Sequence, residues 1–375
     1  MVLSVIIVSY NSSSFLELCL YSVQKSLTKA NIESEIIVVD NSSSDNSCSI
    51  IKDKYPSVLL LENQKNIGFS KANNIGVSKA SGKYICVLNP DIVLSEDTFT
   101  KILRFYESGI KVGFVGCHMI DGKGIFLRES KRTVPSFFSS FMKLIGLSKF
   151  YYSSLNNEQR GYVDVLAGAF MFTEKSIYDE VDGFDEEYFM YGEDIDLCYK
   201  ALKNGYSNYF LGDVKIIHFK GESTDKNFAY VSRFYNAMYI FYKKHFNKLL
   251  FSKSFVWVLI KFLIFVKKLF IVISTKFNFV DYKVKHENKF LITNSLSNVF
   301  DFKSTVININ QLTNKKIKNS LIFFDLNTIL LSDIIYQYEH LSKTNNFRII
   351  VPNTNFYIGS DFKDKKGQIV HFNVK

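Results

Sequence analysis

The sequence predicts an α/β fold with a mixed, mostly parallel sheet in its N-terminal part. Short runs of β-branched apolar residues alternate there with stretches of helical periodicity, which is the pattern of βαβ units. Several of these runs end directly in polar residues. With 375 residues, of which 47% are apolar and 22% charged, the chain is long enough to bury one large core and a second, smaller one.

The predicted elements begin at the first residues. The apolar run 2–8 predicts a buried strand, and the apolar spacing of 15–27 predicts a helix after it. Three further strands are predicted at 36–39, 58–62 and 84–88. Ligands of such sheets bind beyond the carboxyl ends of the strands. The polar segments that follow three of these strands are therefore expected to share one crevice: residues 9–11, 40–45 and 89–91.

Charge is distributed unevenly along the chain. Residues 1–242 carry 25 Lys and Arg against 28 Asp and Glu, whereas residues 243–375 carry 21 against 8. A basic C-terminal part favours an anionic partner, either a nucleic acid or a membrane surface. The five cysteines lack metal-ligand spacing and the first ten residues lack the features of a signal peptide, so we expect a reduced, cytoplasmic protein.

Residues 251–275 form a hydrophobic stretch that is interrupted by lysines. A helix that spans a membrane needs about 20 residues with few charges, so we expect instead a basic amphipathic helix lying on an anionic membrane surface. Residues 243–285 contain 10 Lys against one acidic residue, which suits attraction to anionic lipid. An ordinary amphipathic helix that covers the domain is the alternative.

Three parts are thus predicted: a domain over 1–245, a membrane-associating segment over 246–285 and a small α/β, Rossmann-like module over 286–375. The last part carries four strand-like runs and a helical stretch over 329–341. It has no glycine-rich phosphate loop, so nothing in its sequence predicts nucleotide binding.

Four segments carry candidate chemistry. Asn89-Pro90-Asp91 follows a buried strand, where a carboxylate can hold a divalent cation that bridges diphosphate oxygens; a strand-ending turn is an equal alternative. Gly192-Glu193-Asp194-Ile195-Asp196 places three carboxylates at the start of a helical stretch, for catalysis or for capping. His218 would complete a metal site begun by Asp91, although a lone histidine is more often an ordinary surface or core residue. The glycine-bearing loop 66–74 either wraps a diphosphate or caps a helix.

Taken in order, these segments resemble the family 2 glycosyltransferases of the GT-A fold, in particular their rhamnosyltransferase-like branch. The resemblance covers about residues 2–245, and its motifs are weak singly but specific in this order. The matching stretches are Val5-Ile6-Ile7-Val8-Ser9-Tyr10-Asn11, Val38-Val39-Asp40-Asn41-Ser42-Ser43, Asn66-Ile67-Gly68-Phe69 with Asn73-Asn74, Leu88-Asn89-Pro90-Asp91, Ala167-Gly168-Ala169, Gly183-Phe184-Asp185-Glu186, Gly192-Glu193-Asp194-Ile195-Asp196-Leu197 and His218.

The resemblance implies a role for each matching residue. Asp194 resembles the family's general base, with Glu193 as its neighbour. Asn89 and Asp91 stand at the Asp-x-Asp metal motif, with Asn in place of the first Asp, so Asp91 and His218 are expected to hold Mg²⁺ or Mn²⁺. The residues expected to bind the nucleotide sugar are Ser9, Tyr10, Asn11, Asp40 (at the base), Asn41, Asn66, Gly68, Asn73, Asn74, Asn89, Gly168 and Ala169.

The resemblance therefore implies an inverting, metal-dependent glycosyltransferase of bacterial surface polysaccharide synthesis. It would move a sugar, for which the branch suggests rhamnose, from a dTDP- or UDP-linked donor to a glycan or polyprenyl-diphosphate-linked acceptor. The enzyme is expected in the cytoplasm, peripherally associated with the inner face of the cell membrane.

Other functions are less consistent with the residues. A nucleotidyltransferase should carry a glycine-rich basic loop after its first strand, where this chain has Ser9-Tyr10-Asn11-Ser12. No nucleic-acid-binding motif accompanies the lysines of the C-terminal part, so no nucleic acid partner is expected. A non-catalytic sugar-nucleotide sensor or scaffold is the remaining alternative, against which Asp91, Asp194 and His218 argue together.

Overall fold

The structure of the protein is a computed structural model. It is organised around two β-sheets. The structure describes residues 1–136, 148–220, 228–246, 253–276, 286, 288–294, 304–312, 317–342, 344–361 and 367–372. A nine-stranded sheet forms the N-terminal part, a six-stranded sheet forms the C-terminal part, and a helical pair comes between them in sequence.

The N-terminal elements alternate strands with helices as far as Leu88, as predicted. They are β1 (Leu3–Ser9), α1 (Ser13–Ala30), β2 (Ser34–Asp40), α2 (Ser47–Lys54), β3 (Leu59–Glu62), α3 (Phe69–Lys79), β4 (Tyr84–Leu88), β5 (Ile92–Leu94), α4 (Thr98–Tyr106), β6 (Val112–Ile120), β7 (Lys131–Arg132), β8 (Arg160–Tyr162), β9 (Val165–Leu166), β10 (Phe170–Glu174), α5 (Lys175–Glu180), α6 (Glu193–Lys203) and β11 (Ser207–His218). Short 3-10 turns lie at Arg128–Ser130 and Ser148–Phe150.

The strand order of the first sheet is β3-β2-β1-β4-β10-β6-β11-β5, and β8 pairs with β11. Strands β1 to β4, β6 and β11 run in one direction. Strands β5, β8 and β10 run in the other. The predicted mixed, mostly parallel sheet is thus confirmed, with β10 inserted antiparallel between β4 and β6.

Strand β1 shows why the first run is apolar without alternation. Val5 and Ile7 pack into one core with helices α1 and α4, whereas Ile6 and Val8 pack into another with α3 and α6. Successive side chains of a strand point to opposite faces, so a strand covered by helices on both sides carries apolar residues on both faces.

The C-terminal elements build a second α/β layer. They are the helical pair α7 (Phe228–His245) and α8 (Lys253–Lys276), then β12 (Asn288–Ile292), β13 (Thr305–Ile307), α9 (Ile309–Leu312), β14 (Ser320–Asp325), α10 (Leu331–Leu341), β15 (Asn346–Ile350), β16 (Phe356–Gly359) and β17 (Gln368–His371). The sheet order is β13-β12-β14-β15-β16-β17, parallel through β15 and antiparallel after it. Four strands were predicted here, and β16 and β17 were not.

The two sheets share a hydrophobic core. Phe15, Ile217 and Phe219 of the first part pack in one cluster with Phe324 and Tyr338 of the second. The Glu96 carboxylate also accepts the amides of Leu331 (2.6 Å) and Ser332 (3.0 Å), which begin α10. A carboxylate at that position satisfies free amides and complements the helix dipole. The predicted division at 245 and 285 stays a prediction, and residues 247–252 and 277–285 near these boundaries lie outside the described part.

Helices α7 and α8 pack against each other through Val231, Tyr235, Tyr242, Ile260 and Ile264. Within the described ranges, none of the helices has the combination of length and hydrophobicity that crossing a bilayer requires.

Candidate active site

The carboxyl ends of β1 and β2 meet as the sequence predicts. The backbone N–H of Asn41 donates to the Ser9 carbonyl over 2.8 Å, and the backbone N–H of Asn11 donates to the Ser43 hydroxyl over 2.9 Å. Asn11 and Ser42 adopt positive φ, and the Asn11 side chain accepts the Ser44 amide. Tyr10 is partly exposed beside them. These contacts place the two polar turns side by side at one edge of the sheet.

Asp40 lies buried at the end of β2. Its Oδ1 accepts the Ser43 amide over 2.8 Å, and its Oδ2 is buried without a hydrogen-bond partner among the described residues. A buried carboxylate oxygen without a partner is costly, so it is a candidate to accept a donor group from a ligand. The predicted contact with a nucleoside base suits this position.

The loop that precedes α3 is closed by a segment from much later in the chain. The Asn66 side chain accepts the Gly68 amide over 3.0 Å, and the Phe69 amide donates to the Phe189 carbonyl over 2.7 Å. The Asn41 side chain donates to the Gly68 carbonyl, which ties the loop to β2. Gly68 has φ +90°, and a Cβ on it would lie 2.6 Å from the Phe189 oxygen. Only glycine fits this position.

We predict that Gly68→Ala destabilises the protein by about 1–3 kcal/mol more than Gly109→Ala. Both glycines have positive φ, but a Cβ at Gly109 meets no atom within 4 Å. The pair therefore separates the cost of the backbone conformation from the cost of pushing Phe189 away. Urea denaturation of the two variants measures the difference, and equal losses would show that Phe189 yields freely.

Asn73 and Asn74 differ in what they leave for a ligand. Asn73 is buried, and its Oδ1 has no partner among the described residues. The Asn74 side chain donates to the Phe184 carbonyl and the Glu186 carboxylate, and it accepts the Tyr178 hydroxyl and the Phe184 amide. These four bonds use its full capacity. Asn74 therefore fastens α3 to the loop after α5, and we leave it out of the proposed donor pocket.

Asp91 and His218 come together at the end of the sheet. The His218 Nε2 lies 3.4 Å from the Asp91 Oδ1, and the Phe219 amide donates to the Asp91 carbonyl. Asp91 precedes β5 and His218 ends β11, and the pairing of those strands places His218 opposite Ile92. The register of two adjacent strands thus brings the two predicted metal ligands into contact.

This pair fits a divalent metal ion. A carboxylate suits Mg²⁺ and Mn²⁺, and a neutral imidazole is a common metal ligand in proteins. The Oδ1 of the neighbouring Asn89 is buried without a partner among the described residues, so a further oxygen is available near the start of the motif. We infer that Asp91 and His218 would hold the ion.

Helix α6 presents the predicted general base. Gly192, with φ +81°, precedes the helix, and Asp194 lies in its first turn. The backbone N–H of Gly168 donates to the Asp194 Oδ2 over 3.0 Å, and the backbone N–H of Asn89 donates to the Ala169 carbonyl over 2.9 Å. Two successive residues thus connect Asn89 of the metal motif with Asp194.

Arg132 is the site residue that the sequence did not reveal. It is buried on β7, and its guanidinium donates to the Asp194 Oδ2 over 2.5 Å and to the Leu166 carbonyl over 2.7 Å. Although burial opposes its charge, the Asp194 carboxylate helps to raise the pKa of Arg132 above its ordinary value. The ion pair fixes the orientation of Asp194.

Glu193 is buried beside this pair with one carboxylate oxygen unpartnered among the described residues. Burial, reinforced by the Asp194 charge, raises the pKa of Glu193 from 4.5 to about 8. Glu193 is therefore protonated at neutral pH and can donate a hydrogen bond, which an ionised carboxylate cannot do.

We predict that the difference in unfolding free energy between the Glu193→Gln variant and the unsubstituted protein shifts in favour of the variant as the pH rises. Between the unfolded value near 4.5 and the folded value near 8, the folded protein holds a proton that the unfolded chain has lost. Stability therefore falls with rising pH in this window, on the order of a few kcal/mol in total, and the amide removes the effect. Thermal melts of both proteins from pH 5 to about 8 measure this change in stability. A difference in stability that does not vary with pH would contradict the raised pKa of Glu193. An equal pH-dependent difference in the exposed control Glu107→Gln would contradict it as well.

Asp196, the third carboxylate of the motif, has a structural role. It is buried, and its Oδ1 lies 2.6 Å from the His245 Nε2 and accepts the Tyr188 hydroxyl at 3.3 Å. Lys244 pairs with Asp185 beside it. These contacts fasten the end of α7 to the helix that carries Asp194.

A second acidic cluster lies where the two sheets meet. His118, Glu158 and Glu339 bring ligand atoms within 4.8 Å of one another. The Lys215 ammonium already binds both carboxylates at 2.8 Å. A lysine at that position competes with a cation, so we interpret the cluster as an ion-pair network between β11 and α10.

Comparisons with known proteins indicate the family to which the N-terminal part of the chain belongs. Residues 4–182 match the model of glycosyl transferase family 2. The chain is 25% identical over 261 residues to the N-acetylglucosaminyl-diphospho-decaprenol L-rhamnosyltransferase of Mycobacterium tuberculosis, covering 64% of this chain and 83% of the relative.

A second curated relative and a solved structure are also similar to this chain. The chain is 30% identical over 200 residues to the rhamnosyltransferase WbbL of Escherichia coli K12, covering 51% of this chain and 66% of that protein. The crystal structure of S. aureus TarS 1–349 superposes with a TM-score of 0.46 at 19% identity, covering 68% of each chain. Because residues 4–182 match the family model, the chain contains a glycosyltransferase domain of family 2, and rhamnosyltransferases are among its curated relatives.

Proposed function

We propose that the protein is an inverting, metal-dependent glycosyltransferase that uses a nucleoside diphosphate sugar, with Asp194 as general base. The observation that carries the proposal is the bridge formed by Gly168 and Ala169. It ties the general-base candidate to the strand end that carries Asn89 and Asp91. A donor diphosphate held at that strand end would therefore present its sugar towards Asp194.

Asp194 retains the capacity that a base needs. Its Oδ2 accepts Arg132 and Gly168, whereas its Oδ1 accepts the Ile195 amide. Each carboxylate oxygen has two acceptor positions, so Oδ1 has one left for the acceptor hydroxyl. As that hydroxyl oxygen attacks the anomeric carbon, its proton passes to Asp194 and the bond to the diphosphate breaks. A single displacement inverts the anomeric configuration.

The donor is held from several sides in this proposal. Asp40 accepts from the nucleoside base, and Ser9, Tyr10, Asn11 and Asn41 form the turns around it. Asn66, Gly68 and Asn73 face the diphosphate from the start of α3. Asp91 and His218 would hold Mg²⁺ or Mn²⁺, whose chemistry is to offset the charge that develops on the leaving diphosphate.

The acceptor and the location complete the proposal. One curated relative is named for a decaprenyl-diphosphate-linked acceptor. We therefore propose a glycan acceptor linked to a polyprenyl diphosphate, rhamnose from a dTDP- or UDP-linked donor, and a peripheral position on the inner, anionic face of the cell membrane.

A screen of nucleoside diphosphate sugars with the full chain tests this function. We expect one donor to raise the melting temperature and to release nucleoside diphosphate when Mn²⁺ or Mg²⁺ and an acceptor are present. Stabilisation by a donor without turnover under any condition would favour the sensor alternative. Equal turnover in EDTA would contradict metal dependence.

A further inference from the structure

Helix α8 exposes a large apolar face. Trp257, Val258, Phe262 and Phe265 are between 47% and 64% exposed, whereas the adjoining side chains of Ile260 and Ile264 are buried against α7. At 100° per residue the four exposed side chains fall within an arc of about 140°. Surface aromatic residues are normally scattered singly, so a contiguous stripe marks a binding surface.

Lysines lie within and beside this face. Lys261 is exposed and its ammonium lies 5.5 Å from the centre of the Trp257 ring, and Lys268 lies 5.9 Å from the ring of Phe228, which is itself exposed. Lys267 is also exposed, and α8 contains no acidic residue. The surface is therefore apolar and cationic at once.

This combination fits a lipid surface better than a protein. Lysine is depleted in the cores of protein interfaces, where its charge loses hydration. At a lipid interface the ammonium groups reach the headgroups while their methylenes and the aromatic rings enter the acyl boundary.

The helical pair is fixed to the catalytic part of the molecule. Helix α7 is bound to α6 through His245 and Asp196, and Arg233 of α7 stacks on Phe189, which covers Gly68. Contact of α8 with a surface would therefore orient the donor site relative to that surface.

We propose that the face formed by Trp257, Val258, Phe262 and Phe265, with Lys261 and Lys268, lies in the interface of an anionic lipid membrane. This proposal names the surface that would produce the membrane location proposed above. It rests on the proposed function, because an acceptor linked to a membrane lipid is the reason for such a contact. Its test needs no glycosyl transfer, so it can fail or succeed independently of the enzymatic proposal.

Trp257 reports on this contact directly because it is the chain's single tryptophan. Vesicles of phosphatidylcholine and phosphatidylglycerol in equal parts should shift its emission to shorter wavelength and sediment the full chain. Phosphatidylcholine vesicles alone should bind at least about tenfold more weakly, since each lysine near an anionic surface contributes to binding.

Two double variants locate the surface. Phe262→Glu with Phe265→Glu, and Lys261→Glu with Lys268→Glu, should each weaken binding to the anionic vesicles at least about tenfold. Tyr336→Glu, a matched change at an exposed aromatic of α10, should leave binding unchanged. Transfer to a water-soluble acceptor should remain intact in all of them.

Three results would overturn the proposal. The first is sedimentation with vesicles without a shift of Trp257 emission, which would place the contact on another surface. The second is binding of both double variants that equals binding of the unsubstituted chain. The third is a dimer, detected by light scattering, that the Phe262 and Phe265 changes dissociate, since a second copy would then cover this face.

Discussion

Asp194→Asn is expected to lower kcat about 100- to 10,000-fold, the range that a general base contributes. The amide keeps the size of the side chain and can still accept hydrogen bonds from Arg132 and Gly168, but it cannot take the acceptor proton. Donor affinity should stay within a few-fold, because the nucleotide is held by other residues. Single-turnover kinetics and calorimetric titration of the nucleoside diphosphate measure the two quantities.

The Arg132 ion pair requires a second variant, since removal of one partner leaves a buried charge uncompensated and costs about 3–5 kcal/mol. Asp194→Glu keeps the charge but moves the carboxylate by one methylene. Loss of turnover in both variants, with Asp194→Glu folded normally, separates the chemistry from the ion pair. Asp179→Asn, an exposed carboxylate on α5, is the matched control. Near-normal turnover in Asp194→Asn would contradict the assignment.

Asp91→Asn is expected to weaken Mn²⁺ binding at least about 100-fold. Removal of a residue that only hydrogen-bonds a metal ligand weakens metal binding by roughly 10- to 100-fold, and Asp91 is expected to contact the metal itself. The change removes the anionic oxygen next to His218 while preserving the shape of the turn. Electron paramagnetic resonance of Mn²⁺ in the presence of nucleoside diphosphate gives the affinity, and transfer activity should fall in parallel.

His218→Gln should have a smaller effect in the same direction, because the carboxylate remains. The exposed Asp53→Asn on α2 should change neither quantity. Unaltered Mn²⁺ affinity in Asp91→Asn would remove Asp91 from the metal site, whatever happens to activity.

Much of the N-terminal fold is predictable because its strands are buried on both faces and read as continuous apolar runs. The strand at Tyr84–Leu88 was predicted to the residue. The direction of a strand leaves no such trace, so the antiparallel insertion of β10 is visible only in the structure. Strand β17 is exposed throughout and has no apolar run to reveal it.

The shared core of the two sheets was also beyond prediction. Periodicity shows that one face of a helix such as Leu331–Leu341 is buried, but it does not show what that face packs against. The sequence predicted a small module over 286–375 without showing what it packs against. In the structure, Phe219 beside the metal candidates packs in the same cluster as Phe324 of the second sheet.

Some residues of the candidate site could be predicted from the sequence and others could not. Asp40 and Asp91 come directly after strands, so the sheet topology alone predicts that they lie at one edge. Arg132 lies on a two-residue strand that pairs with residues 165–166, and so short an element has no periodicity. Phe189 covers Gly68 from more than a hundred residues away.

The configuration of the product at the anomeric carbon tests the central claim most directly. The full chain would be incubated with the donor identified by the screen and a glycan acceptor, and the one-bond carbon–proton coupling at the new anomeric centre would be measured by NMR at early times. A single displacement with Asp194 as base predicts the configuration opposite to that of the donor. A product that retains the donor's configuration would contradict it.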